Sequence, residues 1–231
     1  MRNNNPFHTL LLLFVLALGL GSLASCSDNV NETDNSEFTA NWQQRNVAYF
    51  DSVMNVARTQ VAEAKSQYGD NWEDHCEWRL YLSYAKTAGR YAHDSICVRI
   101  LEHGEADNGL SDNKANRPLY TDSVLVNYIG HLIPTKSYKE GRVFDHSGLY
   151  EYESYVFHPE YSTPSHLLVS NTIDGYTTAL QYMHRGDRWQ IFIPQELGYK
   201  SASSGVLPAY STLIFDVQLK DFRRLGYSFS E

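Results

Sequence analysis

The 231-residue chain carries 19 Lys+Arg against 27 Asp+Glu, a formal net charge of −8, and is rich in Tyr (17) and Phe (10). That acidic balance argues against nucleic acid as a partner and against charge-driven attachment to anionic lipid. The length suits one ordinary domain plus an appendage, and the aromatic content is enough for a packed core.

The chain opens on a leader. Arg2 precedes the apolar run from Leu10 to Leu18, which is too short to span a bilayer but has the length of a signal-peptide core. Gly19, Gly21 and Ser22 follow, then Leu23-Ala24-Ser25-Cys26. Small residues directly before a cysteine resemble a lipobox, in which the thiol is acylated and the chain is cut just before it. Residues 1–25 are therefore expected to be a lipoprotein signal peptide, with Cys26 the lipid attachment residue. Its removal leaves 18 Lys+Arg against 27 Asp+Glu, a net charge of −9. The acyl chains, rather than surface charge, would then hold the chain to a membrane. Residues 26–37 are polar and nearly free of apolar groups, as expected of a disordered tether.

Residues 38–92 read as a helical and strand extension. Val47, Phe50, Met54, Ala57, Val61 and Ala64 recur at spacings of three and four, one face of an amphipathic helix. Asn41 or Thr39 is placed to cap its start, and Gly69 follows its end. A single stripe of this kind is expected to dock on the nearest core; a homodimer through this helix is the alternative. Past Asp70 the period changes to two: Trp78, Leu80, Leu82 and Tyr84 alternate with Arg79, Tyr81 and Ser83, a half-buried strand. Ile96, Val98 and Ile100 mark a second strand, and 104–118 a polar loop. Cys76 and Cys97 could pair in an oxidising compartment; two buried thiols are the preferred reading, since two cysteines make no framework. No cysteine or histidine spacing matches a zinc ligand set.

Residues 93–223 read as the main domain, with 224–231 a tail. Val124, Val126 and Tyr128 alternate; so do Trp189, Ile191 and Ile193, and Leu213, Phe215, Val217 and Leu219. Between the first two strands, 174–183 fits one short helix with Tyr176, Ala179, Leu180 and Met183 on one face. Strands around a single short helix make an α+β domain.

Six motifs then occur in order. They are Tyr128-Ile129-Gly130, Phe144-Asp145, Ile173-Asp174-Gly175-Tyr176, Met183 to Gly186, Ile193-Pro194-Gln195-Glu196-Leu197-Gly198-Tyr199, and Leu207-Pro208 through Leu213-Ile214-Phe215. Together they resemble the FKBP family of peptidyl-prolyl cis-trans isomerases over roughly residues 95–221. The resemblance implies an antiparallel curved sheet wrapped around one short helix, preceded here by the amphipathic helix. It also implies an enzyme that acts on proline-containing polypeptides and uses no cofactor and no metal. By position, Tyr128, Phe144 and Phe215 would wall an apolar pocket, with Tyr176 as its floor where the family usually has Trp. Asp145 would accept hydrogen bonds from tyrosine hydroxyls. Ile173 would offer its backbone N–H to a substrate carbonyl, with Thr172 beside it, and Tyr199 would donate its hydroxyl. Val206 and Leu207 would form an apolar lip.

Several positions depart from the family pattern. Gly198 stands in place of Ala, Lys200 in place of Gly, and Leu167 at an aromatic position, while 146–163 is longer than usual and carries Tyr150, Tyr152, Tyr155, Phe157 and Tyr161. The loop after Tyr199 is expected to be altered. Asp145 and Tyr199 are retained, so activity at a modest rate is expected. With the leader, this describes an isomerase assisting protein folding in the bacterial cell envelope, tethered to the outer membrane rather than the inner. A weakly active or inactive proline-peptide-binding chaperone or adhesion lipoprotein is the alternative.

Overall fold

The computed structural model describes residues 35–86, 93–104, 116–148 and 158–229. The leader, Cys26 and the aromatic residues Tyr150, Tyr152, Tyr155 and Phe157 lie outside them.

Among the described residues, seven strands form one antiparallel sheet: β1 (Trp78–Leu82), β2 (Ser95–Glu102), β3 (Ser123–His131), β4 (Val143–His146), β5 (Ser165–Leu168), β6 (Arg188–Ile193) and β7 (Leu213–Arg223). Their order is β1-β2-β6-β7-β3-β4, and β5 pairs with β3 beside β4. The free edge of β3 is thus shared: Ser123 to Val126 face β5, while Ile129 to His131 face β4. Two helices pack on this sheet, α1 (Trp42–Tyr68) and α2 (Asp174–Leu180).

One face of the sheet is covered by the core containing α2 and part of the other by α1, and the period-two pattern sorts residues between them. Ile96, Val98 and Ile100 of β2, Trp189, Ile191 and Ile193 of β6, and Leu213, Phe215, Val217 and Leu219 of β7 point inward to the core containing α2. Cys97, Phe192 and Ile214 point the other way and meet Phe50, Met54 and Ala57 of α1. Covering Phe50 and Met54 contributes ~1.5–3 kcal/mol each, which fixes α1 to the sheet. The apolar stripe of α1 is therefore used within its own fold. Val47, placed on that stripe by its spacing, is only half-buried, and Asn46 is fully buried instead.

Three local expectations need correction. Asn41 does not cap α1 with its side chain; it takes a left-handed backbone (φ 51°), which asparagine tolerates. Thr39 spends its hydroxyl on the Ser36 carbonyl, because the chain reaches the helix through a 3-10 turn at Asn35–Phe38. β1 ends at Leu82, which is exposed like Tyr84 in the turn beyond it, while Arg79 is buried and donates to the carbonyls of Glu73, Cys76 and Trp78. Tyr81 faces inward, stacked 3.9 Å from Tyr182, and Trp78 and Leu80 face α1. Cys76 and Cys97 are both free thiols; Cys97 is buried, and that burial pushes its thiol up to about 12.

Helix α2 is shorter than its apolar pattern suggested, ending at Leu180, with Met183 still fully buried beyond it. It approaches β6 closely: a Cβ on Gly175 would run into Ile193. That close approach sets the helix start, and hence Ile173 and Tyr176, against the sheet.

Candidate functional site

The start of α2, the inward face of β3 and β7, the end of β4 and the 195–199 turn converge on one cavity of about 220 Å³. Its lining includes Tyr128, Asp145, Ile173, Tyr176, Tyr199 and Phe215. Thr172, Leu167 and Asn171 complete it.

An aromatic cluster makes the base. The Phe215 ring lies edge-on to Tyr176 (centroids 5.0 Å apart) and to Phe144 (5.4 Å), within the range where such pairs add ~0.5–1.5 kcal/mol beyond their buried area. Tyr128 contacts the same group, 6.4 Å from Tyr176 and 6.3 Å from Phe215. Gly130 permits this arrangement: a Cβ there would sit 2.7 Å from Phe144 Cζ and 2.8 Å from Phe215 Cε1. Pairing of Gly130 with both Asp145 on β4 and Phe215 on β7 places it between the two rings.

The polar groups sit at the rim. Tyr128 donates its hydroxyl to Asp145 Oδ2 at 2.9 Å, and Asp145 Oδ1 accepts the His146 N–H at 2.9 Å. Asp145 is exposed. Tyr199 stands 43% exposed at the mouth; burial and the Asp145 charge both raise its hydroxyl pKa. Burial and the hydrogen bond to Asp145 push Tyr128 well above the usual phenol range. All three phenols therefore stay protonated donors at neutral pH, Tyr176 included, whose full burial raises its pKa well above the usual phenol range. The Tyr176 hydroxyl has no hydrogen-bond partner among the described residues.

Ile173 is the N-cap of α2, with an extended backbone (φ −64°, ψ 152°). At that position its N–H stands outside the helix's own ladder and is open to an incoming acceptor. Thr172 anchors the turn, its hydroxyl donating to the Val169 carbonyl at 2.9 Å and meeting Thr177 Oγ1 at 2.8 Å.

Not every sequence-expected residue lines this cavity. Phe144 packs behind Phe215 and, with Leu207, lines an adjoining groove of about 260 Å³ that shares Asp145 and Tyr199 with the first. Val206 lines neither; it is 44% exposed, and its carbonyl accepts from Arg142 at 2.7 Å. Lys200 follows Tyr199 with a left-handed backbone (φ 56°), the region a glycine occupies without strain. Its N–H donates to Gln195 and its carbonyl accepts from Tyr210, so the turn closes with a lysine in it.

Sequence reasoning missed Asn171 and gave Leu167 no site role. It also missed Ser147, whose hydroxyl accepts from the Tyr128 N–H at 2.8 Å. Nothing in their spacing marks them: Asn171 and Ser147 reach the site through turns, and Leu167 sits in a four-residue strand too short to show a period.

The model for the family described as FKBP-type peptidyl-prolyl cis-trans isomerase matches residues 114–220. The FKBP-type 22 kDa peptidyl-prolyl cis-trans isomerase of Escherichia coli K12 is 38% identical over 123 residues, 53% of this chain and 52% of that protein. FkpA, an FKBP-type peptidyl-prolyl cis-trans isomerase of the same strain, is 33% identical over 169 residues, 73% of this chain and 52% of its own. The outer membrane protein MIP of Legionella longbeachae is 34% identical over 104 residues, 45% of this chain and 37% of its own. The chain thus spans about half the length of the curated relatives it matches.

Proposed function

Because residues 114–220 belong to the FKBP-type peptidyl-prolyl cis-trans isomerase family, we propose that this protein catalyses rotation about Xaa-Pro bonds in exported polypeptides. The observation that carries the reading is the single cavity in which Tyr128, Asp145, Ile173, Tyr176, Tyr199 and Phe215 meet.

The reaction needs no nucleophile. Uncatalysed rotation crosses ~18–20 kcal/mol and takes tens to hundreds of seconds. The twisted amide has lost its resonance and carries less charge separation than the planar one, so an apolar, water-poor surface favours it. Phe215 and Tyr176 supply that surface against the proline ring. The Ile173 N–H holds a substrate carbonyl, and the Tyr199 hydroxyl holds a second acceptor on the peptide. Asp145 fixes the Tyr128 hydroxyl, so that wall keeps one orientation. At about 220 Å³ the cavity is below the ~300–1,000 Å³ typical of drug-sized ligand sites and suits one small ring.

A slow or silent proline-peptide binder is the second reading. Tyr176 favours it: its hydroxyl is buried, without a partner among the described residues, under the surface where the proline ring would rest. A protease-coupled isomerisation assay on the soluble chain from residue 27 separates the two. Acceleration above the spontaneous rate supports the enzyme; peptide binding without acceleration leaves only the binder.

The leader and Cys26 support placement in the bacterial cell envelope through a lipid anchor. The outer membrane is the preferred site, in line with the name of the Legionella relative. The tether would end before the 3-10 turn at Asn35–Phe38, where Glu37 already accepts from Ser137 N–H and Arg45, so it is shorter than the expected 26–37. Folding clients bearing proline would be the partners.

A further inference from the structure

A second and larger cavity, about 400 Å³, plays no part in the reaction just described. Its walls come from the turn after β1 (Tyr84), the turn before β3 (Tyr120), the segment before α2 (Ser170), and Asp174 and Thr178 of α2 with Gln181 just past its end. Both tyrosines are more than half exposed, at 59% and 55%. Ser170 offers a hydroxyl, Gln181 an amide and Asp174 a carboxylate, while the Thr172, Thr177 and Thr178 hydroxyls already bond within the fold.

The two cavities are neighbours along one short stretch of chain. Asn171 and Ile173 line the first, Ser170 and Asp174 the second, and Thr172 both. The ridge between them is therefore a single backbone segment. It is rigidly held, by the Thr172 and Thr177 hydroxyls bonding to each other and to the Val169 carbonyl. It also carries the Ile173 N–H assigned above to a substrate carbonyl. An extended chain advances ~3.3–3.6 Å per residue, so one or two residues cross such a ridge.

We propose that the second cavity is an accessory subsite for the residues of the substrate chain just beyond the proline, with polar side chains preferred. This rests on the first cavity being the proline site. The occupant follows from continuity: a peptide bonded to the Ile173 N–H already lies on the ridge, and the larger cavity is its nearest concave continuation. The lining fits an extended polypeptide. Tyrosine rings give flat contact at low entropy cost, while Ser170, Gln181 and Asp174 meet backbone amides and polar side chains. Asp174 pairs only loosely with Lys200, at 3.8 Å, and so remains available as an acceptor.

The test compares a tetrapeptide containing Leu-Pro with a longer peptide in which the same core has polar flanks. Affinity is read by fluorescence, and isomerisation of the tetrapeptide is followed in parallel. Wild type is expected to bind the longer peptide about tenfold more tightly. Tyr84→Ala combined with Tyr120→Ala should lower that affinity by about threefold to tenfold and leave the tetrapeptide unchanged in binding and rate. Tyr120→Ala alone, at an exposed turn, provides the same comparison if the double variant melts early. Equal wild-type affinity for the two peptides, an equal loss on both, or no binding of the longer one overturns the subsite. A tetrapeptide that binds without being isomerised overturns only the enzyme reading, because the long-to-short comparison still stands.

Discussion

Gly130 and the two rings packed on it allow a direct test of how the site is built. An alanine there would place its Cβ 2.7 Å from Phe144 Cζ and 2.8 Å from Phe215 Cε1, closer than carbon atoms pack. Both neighbours are ring atoms rather than flexible chain ends, so the rings or the β3 backbone must move. Overpacking of this kind costs ~1–3 kcal/mol. For a chain of this size each kcal/mol lowers Tm by about 2–4 °C, so Gly130→Ala should melt roughly 2–12 °C below wild type. Removing one ring should relieve the strain. Phe144→Leu is expected to cost ~1–3 kcal/mol by itself, yet the Gly130→Ala, Phe144→Leu pair should cost less than the two singles added, with a coupling of about 1 kcal/mol. Because Phe215 also lines the cavity, Gly130→Ala should lower kcat/KM by more than its loss of stability explains at 25 °C. The assay is thermal denaturation of the four proteins of the cycle, with proline isomerisation measured well below Tm. Costs that simply add, or a Gly130→Ala protein that melts with wild type, would refute the packing argument.

The other predictions concern groups whose partners are equally explicit. Asp145→Ala should lower kcat/KM about twofold to tenfold with little change in Tm, since the Tyr128 bond it loses is exposed and water can replace it. Tyr199→Phe should do no more than that, and both variants matching an active wild type would mean the wrong residues have been assigned. Asn46→Ala should destabilise by ~1–3 kcal/mol in chemical denaturation, because the buried Thr212 N–H loses its acceptor at 2.8 Å; an unchanged midpoint would detach α1 from the start of β7. His93 lies between Asp51 (2.9 Å) and Glu196 (3.3 Å); burial opposes its charge, but the two carboxylates outweigh burial and raise its pKa. Its stabilising contribution is thus full below about pH 6.5 and lost as pH rises through the raised value. The Tm difference between wild type and His93→Gln should therefore shrink from pH 5 to pH 9, and a constant difference would contradict it. Cys26→Ala should abolish incorporation of a labelled fatty acid in cells, and continued labelling would remove the lipid anchor from the proposal.

How much of this was legible beforehand follows from which residues report on one neighbour and which on several. Trp189, Ile191 and Ile193 alternate because β6 runs through the middle of the sheet, and each inward residue meets the same core. β1 misled for the opposite reason. It is an edge strand with α1 on one side and Tyr182 on the other, so Trp78 and Leu80 serve one core, Tyr81 serves another, and Leu82 serves neither. Alternation shows that two faces differ, but not which is buried when both are covered. β4 and β5, four residues each, are too short for a period to show. The cavity residues emerged from their order along the chain rather than from any local pattern. Phe215 and Tyr128 would each pass for ordinary core residues, and what marks them is their place in the ordered run of motifs that also holds Asp145 and Tyr199. Asn46 shows what such reading leaves out. A buried asparagine in a helix looks like an interruption of the apolar stripe. In the fold its side-chain oxygen accepts the Thr212 N–H and its backbone carbonyl accepts the Thr212 hydroxyl, three residues before Phe215. Such a contact, 166 positions apart, depends on the arrangement of the whole sheet. It makes the amphipathic helix, which the sequence set apart as an extension, a support for the strand that carries the cavity's central ring.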